Sequence, residues 1–258
     1  MNRGTRGWLW RDGAWAPATA LPFTDRAVRY GMAVFETIGV RGGKPLLLES
    51  HAGLLAASAK KLLGAQVTLT MPPLDPDDRG VLRAYVTAGD GGPADDAGQP
   101  RIFALFEPVT AGLPDHQTAR WHTEPVAPFA HGAKTANYWM NCAAQTAARA
   151  EGSDHALLCD HEGRLLSAAM GNVFFVHEGR TATPSLSLPV RPGAMRAWVM
   201  ERQPVREVEF PAKLLGEAEE VFLTNSRLGV MPLQIGEIGP GPVGSALRDR
   251  CRRENIVP

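Results

Sequence analysis

One lysine in the sequence stands in surroundings that could change its chemistry. Lys134 lies in the stretch from Ala133 to Asn141, where every other residue is uncharged and Tyr138 is close by. An ammonium group taken out of water is costly unless it is paired, so a lysine in such a setting tends to lose its proton. A neutral amine is the form that condenses with a carbonyl carbon, which makes Lys134 a candidate nucleophile. The alternative is a surface lysine where a loop meets a helix.

Other motifs that carry chemistry are absent or lack their structural context. Residues 239–244 match G-x-G-x-x-G, but a dinucleotide site needs that loop inside a strand–helix–strand unit, and too few residues follow Gly244. The histidines show no His-x-x-x-His spacing beside a carboxylate, and the three cysteines form no Cys-x-x-Cys pair. The sequence therefore predicts neither a metal site nor a disulfide framework. No Gly-x-Ser-x-Gly elbow supports a serine hydrolase.

The composition limits the classes of partner. Lysine plus arginine and aspartate plus glutamate are 27 each among 258 residues, so the formal net charge is zero. Neutralising many phosphates needs surplus cations, so we expect neither nucleic acid nor an anionic membrane as a partner. Apolar runs such as Val173–Val176 are too short to cross a bilayer, and Met1–Asp12 lacks the apolar core of a signal peptide. We therefore expect a cytoplasmic protein.

The first half of the sequence predicts strands arranged around one helix. Asp12-Gly13 predicts the turn of a hairpin over Trp8–Trp15. A helix of about fourteen residues is expected to start with Ser50 as its cap and to end at Gly64. The loop Ala88–Pro100 is rich in Gly, Asp, Ala and Pro, which predicts a solvated and mobile segment. Further strands are predicted at Val34–Val40, Pro45–Leu48, Val81–Thr87 and Arg101–Phe106.

The second half of the sequence predicts short strands with three helices. Glu107–Gln117 contains two prolines and a glycine, and is interpreted as the junction between domain 1–112 and domain 113–258, the second of which carries Lys134. Short turns between strands favour antiparallel pairing, so the sequence predicts two α+β domains with mostly antiparallel sheets. The strands are predicted at Ala119–Glu124, Ala156–Cys159, Arg164–Ser167, Asn172–His177 and Glu220–Leu223, and the helices at about Asn137–Ala150, Gly193–Glu201 and Ser245–Arg253.

Short motifs follow one another along nearly the whole chain in an order that resembles a known family. They are Asp25–Gly31, Val34–Thr37, His51 with Leu55 and Ser58, Lys134–Tyr138, Asn172–Phe174, Thr183-Pro184, Gly193–Arg196 and Glu220–Ser226. The set resembles the class IV aminotransferases, pyridoxal-phosphate enzymes of fold type IV. The resemblance implies an α+β, D-amino acid aminotransferase-like fold with a small N-terminal α+β domain and a larger barrel-like C-terminal domain. It further implies that pyridoxal 5'-phosphate binds in the cleft between these domains, in a homodimer.

The resemblance also implies roles for individual residues. Lys134 would bind the aldehyde of the cofactor and then take a proton from the substrate carbon, and Tyr138 would meet the phenolate oxygen of the cofactor. The phosphate would rest on backbone amides where a helix begins. The residues implied at the phosphate are Ala194 and Met195, with a hydroxyl from Thr224 or Ser226.

Substrate recognition and reaction type are implied less directly. Tyr30, Arg101 and Asn225 are candidates for binding a small-molecule substrate, and Arg101 is the most attractive because a guanidinium group suits a carboxylate. Within the family, the short chain and Gly193–Arg196 most resemble the lyases, which release pyruvate from aminodeoxychorismate and leave 4-aminobenzoate. Branched-chain and D-amino acid aminotransferases usually carry threonine at the position of Met195.

Two positions depart from the family pattern. Leu54 stands where the family has the arginine that binds the cofactor phosphate, and losing a charged hydrogen-bonding partner costs about 1.5–3 kcal/mol. Ser167 stands where the family has a glutamate that keeps the pyridine nitrogen protonated; a hydroxyl can donate to a neutral pyridine but cannot stabilise its cation. This second change favours elimination over transamination. Three interpretations stay open: a lyase, an aminotransferase, and a cofactor-free relative with a binding or structural role.

Overall fold

The computed structural model describes residues 4–96, 98–110, 112–128 and 132–258, and these form two compact units. Unit 1 contains the described residues of Met1–Ala111 together with Ala133–Asn137 and Ile256–Pro258. Unit 2 contains those of Gly112–Gly132 together with Tyr138–Asn255. The fold is the α+β fold that the sequence resemblance implies, with two curled sheets.

Unit 1 is built on a six-stranded sheet in which every pairing is antiparallel. The spatial order is β2-β1-β6-β5-β3-β4. The tight turn at Asp12-Gly13 places Trp10 opposite Trp15, so the predicted N-terminal hairpin is confirmed. The strands are β1 (Arg6–Arg11), β2 (Ala14–Pro17), β3 (Ala33–Arg41), β4 (Lys44–Pro45), β5 (Arg79–Thr87) and β6 (Arg101–Pro108).

Two helices accompany this sheet, the short α1 (Arg26–Tyr30) and the longer α2 (Leu48–Leu63). The core of unit 1 includes Leu55 of α2 with Ile38 and Leu82 of the sheet, all almost fully buried. Gly64 ends α2 in the left-handed conformation that glycine adopts without strain, as predicted. The prediction that Ser50 caps α2 is wrong, because the cap is Leu47, three residues earlier, and the helix begins at Leu48.

A buried arginine organises the loop that follows β5. The Arg26 side chain is almost fully buried, and its guanidinium group donates to the backbone carbonyls of Ala88, Asp95 and Asp96. Ala88 and Gly89 are themselves buried. The prediction of a wholly solvated segment is therefore wrong at the start of the loop, because a cation 62 positions away along the chain binds it.

Unit 2 is built on an eight-stranded mixed sheet with the order β12-β11-β10-β13-β14-β7-β8-β9. Four of its pairings are antiparallel, and three are parallel: β11 with β12, β14 with β7, and β7 with β8. Ala168 at the end of β9 and Gly171, which precedes β10, form an isolated bridge across the turn that joins these two strands. The strands are β7 (Gln117–Trp121), β8 (His155–Cys159), β9 (Leu165–Ala168), β10 (Asn172–His177), β11 (Arg180–Pro184), β12 (Arg206–Val208), β13 (Glu220–Asn225) and β14 (Gly229–Gln234).

Three α-helices pack on this sheet: α3 (Trp139–Ala150), α4 (Ala194–Met200) and α5 (Pro242–Arg253). A 3-10 turn spans Ala212–Glu217. All three predicted helices are present with shifted ends; α5 starts earlier than predicted because Pro242 is tolerated in the first helical turn. Among the described residues, no helix has both the length and the apolar character needed to span a membrane.

Candidate active site

The backbone of Lys134 is bound to strand β3 of unit 1. The amide of Phe35 donates to the carbonyl of Lys134 at 2.9 Å, and the amide of Ala136 donates to the carbonyl of Ala33 at 2.8 Å. Val34 and Thr135 form the antiparallel bridge between these two bonds. The sequence had grouped Lys134 with domain 113–258, but these bonds attach its segment to the sheet of unit 1.

The side chain of Lys134 lies on an aromatic stack. Its Nζ is 4.4 Å from the ring centroid of Phe35, a cation–π distance. The Phe35 ring stacks on Tyr85 with centroids 5.0 Å apart, and Tyr85 stacks on Phe103 at 4.4 Å. Burial raises the pKa of the Tyr85 hydroxyl, which keeps this stack neutral. Lys134 itself is half-buried, neither in the core nor on an open surface.

The glycine that follows α1 fixes the far end of the lysine segment. Gly31 has φ +67°, and a Cβ there would approach Asn137 Oδ1 closer than 3.0 Å. The side-chain amide of Asn137 donates to the carbonyl of Gly31 at 3.4 Å. The close approach requires glycine at position 31, so the segment that carries Lys134 is bound at both ends.

The two substrate-binding candidates of unit 1 occupy different settings. Arg101 donates to the carboxylates of Asp25 at 2.8 Å and Asp90 at 2.9 Å, which raises the pKa of Arg101. The hydrogen bond from Arg101 is the main reason that the pKa of Asp90 falls to about 2. The Arg101 guanidinium group therefore binds two carboxylates of the chain itself. The sequence did not predict these ion pairs, because Arg101 is far from Asp25 in sequence and Asp90 lies in a loop without periodicity. Tyr30 ends α1, is half-buried and lies under the Arg29 guanidinium at 4.9 Å.

A buried pair, Glu36 and His51, lies next to Phe35 but on the other face of β3. Glu36 Oε2 is 2.9 Å from His51 Nδ1, and each side chain is at most 2% exposed. Because side chains alternate along a strand, Glu36 points away from the face that carries Phe35. This pair joins α2 to the sheet. Leu54, on the next turn of α2, is half-buried.

In unit 2, the start of α4 is held beside the ladder of β10 and β13. Asn172 of β10 lies opposite Thr224 of β13, and its side-chain amide donates to the carbonyl of Arg191 at 2.8 Å. A Cβ at Gly193 would approach Asn172 Oδ1 closer than 3.0 Å. Among the described residues, no side chain caps the first turn of α4, which begins at Ala194. The backbone amides implied for the phosphate are therefore not used by a capping side chain.

The hydroxyl of Thr224 is an unsatisfied polar group. Thr224 is only 1% exposed, and its Oγ1 has no hydrogen-bond partner among the described residues. A buried hydroxyl without a partner costs about 1–3 kcal/mol, so proteins rarely keep one without use. An oxyanion such as a phosphate would satisfy it. The residues present in unit 2 thus fit the phosphate end of the implied cofactor.

The turn between β9 and β10 brings three further candidates of unit 2 together. Tyr138, at the start of α3, donates its hydroxyl to the carbonyl of Ala169 at 3.4 Å. The amide of Asn225 donates to the carbonyl of Met170 at 3.0 Å, while its Oδ1 accepts two backbone amides of its own turn. Ser167 stands one residue before the turn, half-buried and opposite Leu158. Asn225 therefore has a structural role that its sequence context did not reveal.

The candidate residues are distributed over both units. Lys134, Tyr30 and Arg101 belong to unit 1, and Tyr138, Ser167, Ala194, Met195, Thr224 and Asn225 belong to unit 2. Ala194 and Met195 are buried, and Ser226 is half-buried. Within the described part of the chain, no three His, Cys, Asp or Glu side chains are grouped to hold a metal ion.

Comparison with known proteins places the chain in a family. Residues 33–235 match the family model described as amino-transferase class IV. Aminodeoxychorismate lyase of Vibrio harveyi is 24% identical over 257 residues, covering 87% of this chain and 90% of its own. The crystal structure of 4-amino-4-deoxychorismate lyase from Pseudomonas aeruginosa is 28% identical with a TM-score of 0.78, over 96% of this chain and 98% of its own.

An aminotransferase is equally similar in fold. The structure of an aminotransferase from Brucella abortus bound to the co-factor PLP has a TM-score of 0.83 over 96% of this chain and 99% of its own. At 23% identity, this likeness shows the fold alone. Because the family match spans residues 33–235, most of the chain, this protein belongs to the class IV aminotransferase family.

Proposed function

We propose that this protein is a pyridoxal-phosphate-dependent lyase that eliminates pyruvate from 4-amino-4-deoxychorismate and leaves 4-aminobenzoate. The observation that carries the proposal is Lys134, held by backbone bonds to β3 and lying half-buried on the Phe35 ring. Similarity to two named lyases, each over most of both chains, supports the reaction type. The substrate is a small molecule.

Lys134 and Thr224 have separate roles in this proposal. Lys134 would hold the cofactor at its aldehyde carbon through Nζ, and the same nitrogen, once the amine of the substrate had displaced it, would accept the proton from the substrate carbon. Thr224 donates its hydroxyl to the phosphate, together with the backbone amides of Ala194 and Met195. When bound, pyridoxal phosphate supplies the electron sink for charge that develops on the substrate.

The remaining candidates orient the cofactor and the substrate in this proposal. Tyr138 donates to the phenolate oxygen of the cofactor, and Ser167 donates to its pyridine nitrogen. Tyr30, Arg101 and Asn225 are proposed to bind the substrate. Arg101 can contribute only through N–H groups that Asp25 and Asp90 do not use, and Asn225 only through the amide hydrogen that Met170 does not accept.

Ser167 is the residue that favours elimination over amino-group transfer. A serine hydroxyl leaves the pyridine nitrogen neutral, whereas a carboxylate would stabilise the protonated ring. A neutral ring delocalises less negative charge, and transamination depends on that delocalisation more than elimination does. Leu54 brings no charge to the phosphate, so we expect affinity for the cofactor about tenfold to a hundredfold below that of a site with arginine there.

Transamination of amino acids is the second candidate function. The Brucella abortus aminotransferase shares the fold over nearly the full length of both chains, which is the observation that favours this alternative. A cofactor-free relative with a binding or structural role is the third. For each enzyme we propose a homodimer located in the cytoplasm, and sedimentation of the purified chain tests the dimer.

The reaction is tested by two assays on one preparation. Purified protein supplied with pyridoxal phosphate should release pyruvate from 4-amino-4-deoxychorismate faster than it transfers an amino group to 2-oxoglutarate. Lys134→Ala should abolish pyruvate release, and Lys213→Ala serves as the matched control. Faster amino transfer would favour the aminotransferase. Neither reaction, together with no binding of cofactor, would support the cofactor-free relative.

A further inference from the structure

A cavity of about 380 Å³ lies in unit 2, between the residues that follow α4 and the helix α5. None of the residues discussed above as binding cofactor or substrate lines it. Its walls combine three arginines with an apolar surface from one side of α5. The lining residues are Arg202, Gln203, Pro242, Val243, Ala246, Leu247, Arg250 and Arg253.

The first arginine is held in a fixed orientation. The Arg202 guanidinium stacks on the Trp198 ring at 4.4 Å and donates to the carbonyl of Trp198 at 3.2 Å. It also donates to Glu201 at 3.0 Å. Its Nε is buried and has no hydrogen-bond partner among the described residues. A positive group is therefore oriented in advance, with one donor unsatisfied.

The positive charge of the cavity is only partly compensated. No acidic residue lines it among the described residues. Two carboxylates lie beside its arginines: Glu201 accepts from Arg202 at 3.0 Å, and Glu254 lies 3.3 Å from Arg202 and accepts from Arg250 at 2.6 Å. These contacts hold the pKa of Glu254 below its usual value, with the Arg250 bond as the main cause. Two carboxylates, Glu201 and Glu254, face three guanidinium groups, so one positive charge remains.

Other arginines on the same helix have carboxylate partners. Arg248 donates to Asp115 at 2.6 Å, and Arg252 lies within 4 Å of Asp115 and Asp249. The side chain of Arg253, by contrast, forms no ion pair or hydrogen bond in the described part of the chain.

The end of α5 does not by itself account for this charge. Basic residues in the last turn of a helix are favoured by the helix dipole, which explains Arg250 and Arg253 as helix residues. It does not explain Arg202, which follows α4 and approaches the cavity from another element.

We propose that this cavity binds a small organic anion, with a carboxylate or phosphate group on an apolar body. The anionic group would accept from Arg202, Arg250 and Arg253, because planar guanidinium groups match the oxygens of carboxylates and phosphates. The apolar body would pack on Val243, Ala246 and Leu247. The site is separate from the proposed catalytic residues and does not depend on the reaction that the protein performs.

Calorimetric titration with simple probes tests the site. Benzoate and phenyl phosphate carry the two kinds of anionic group, and benzamide is a neutral molecule of similar shape. We expect saturable binding of at least one anion and none of benzamide. The double variant Arg250→Gln/Arg253→Gln should weaken binding tenfold or more, whereas Arg252→Gln, on the same helix but paired with acidic residues, should leave it unchanged.

Two further variants distinguish this cavity from the cofactor site. Ala246→Trp should abolish binding by filling the cavity without changing its charge, and Thr224→Val should leave binding unchanged. Equal binding of benzamide, equal weakening by Arg252→Gln, or loss of binding only in Thr224→Val would each overturn the proposal. Tighter binding of benzoate identifies a carboxylate ligand, and tighter binding of phenyl phosphate identifies a phosphate ester.

Discussion

The unsatisfied hydroxyl of Thr224 gives a prediction with opposite signs in the two states of the protein. In Thr224→Val the buried polar group disappears while the shape of the side chain is kept. A buried hydroxyl without a partner costs about 1–3 kcal/mol. Without cofactor, the free energy of unfolding of the variant should therefore be about 1 kcal/mol higher than that of the unchanged protein. A hydrogen bond to a charged phosphate contributes about 1.5–3 kcal/mol, so the variant should bind pyridoxal phosphate about tenfold to a hundredfold more weakly.

Thr183 supplies the matched control for this prediction. It is also fully buried in unit 2, but its hydroxyl donates to the carbonyl of Val173 at 2.7 Å. Thr183→Val should therefore destabilise the cofactor-free protein by about 1–2 kcal/mol, because it leaves a buried carbonyl with fewer donors. Urea unfolding of both variants without cofactor, and titration of both with pyridoxal phosphate, gives the comparison.

Two results would refute the reasoning about Thr224. If Thr224→Val lost as much stability as Thr183→Val without cofactor, the hydroxyl would have a partner within the chain. If it gained stability but bound pyridoxal phosphate as tightly as the unchanged protein, Thr224 would not bind the phosphate.

Three further predictions concern Gly31, Ser167 and His155. Gly31→Ala would place a methyl group against Asn137 at a positive φ, so it should cost about 1–3 kcal/mol in urea unfolding and slow cofactor attachment; normal stability would contradict this. Ser167→Glu should raise the rate of amino transfer relative to pyruvate release, and an unchanged ratio would count against the proposed role of Ser167. Burial lowers the pKa of His155 from 6.5 to about 4, so the imidazole stays neutral in the folded state while the unfolded chain takes up a proton. Stability should therefore fall by about 2 kcal/mol between pH 8 and pH 5, and His155→Gln should flatten that part of the profile.

Local signals in the sequence were sufficient for much of unit 1. The Asp12-Gly13 turn and the alternating residues around it predict the first hairpin, and Gly64 predicts the end of α2, because both depend on neighbouring residues only. The predicted start of α2 was wrong because Leu47 adopts a left-handed backbone conformation that its side chain does not favour. No residue next to Leu47 indicates this.

Contacts between distant residues account for what the sequence did not reveal. The bonds that attach the Lys134 segment to Phe35 join residues about a hundred positions apart, so spacing along the chain could not predict them. The sequence also did not predict that Arg101, a candidate for binding the substrate, donates hydrogen bonds to Asp25 and Asp90. The family motifs predict roles for Lys134 and Thr224, but only the structure shows that the hydroxyl of Thr224 lacks a partner among the described residues.

Covalent attachment of pyridoxal phosphate to one lysine is the most direct test of the central claim. The protein is incubated with the cofactor, reduced with borohydride, digested and analysed by peptide mass spectrometry. The chain's other lysines, at positions 44, 60, 61 and 213, serve as internal controls. We predict that, with less cofactor than protein, the phosphopyridoxyl group is found on Lys134 and that Lys134→Ala removes it. Label spread evenly over the other lysines, or no label on Lys134, would show that Lys134 is not the residue that binds the cofactor.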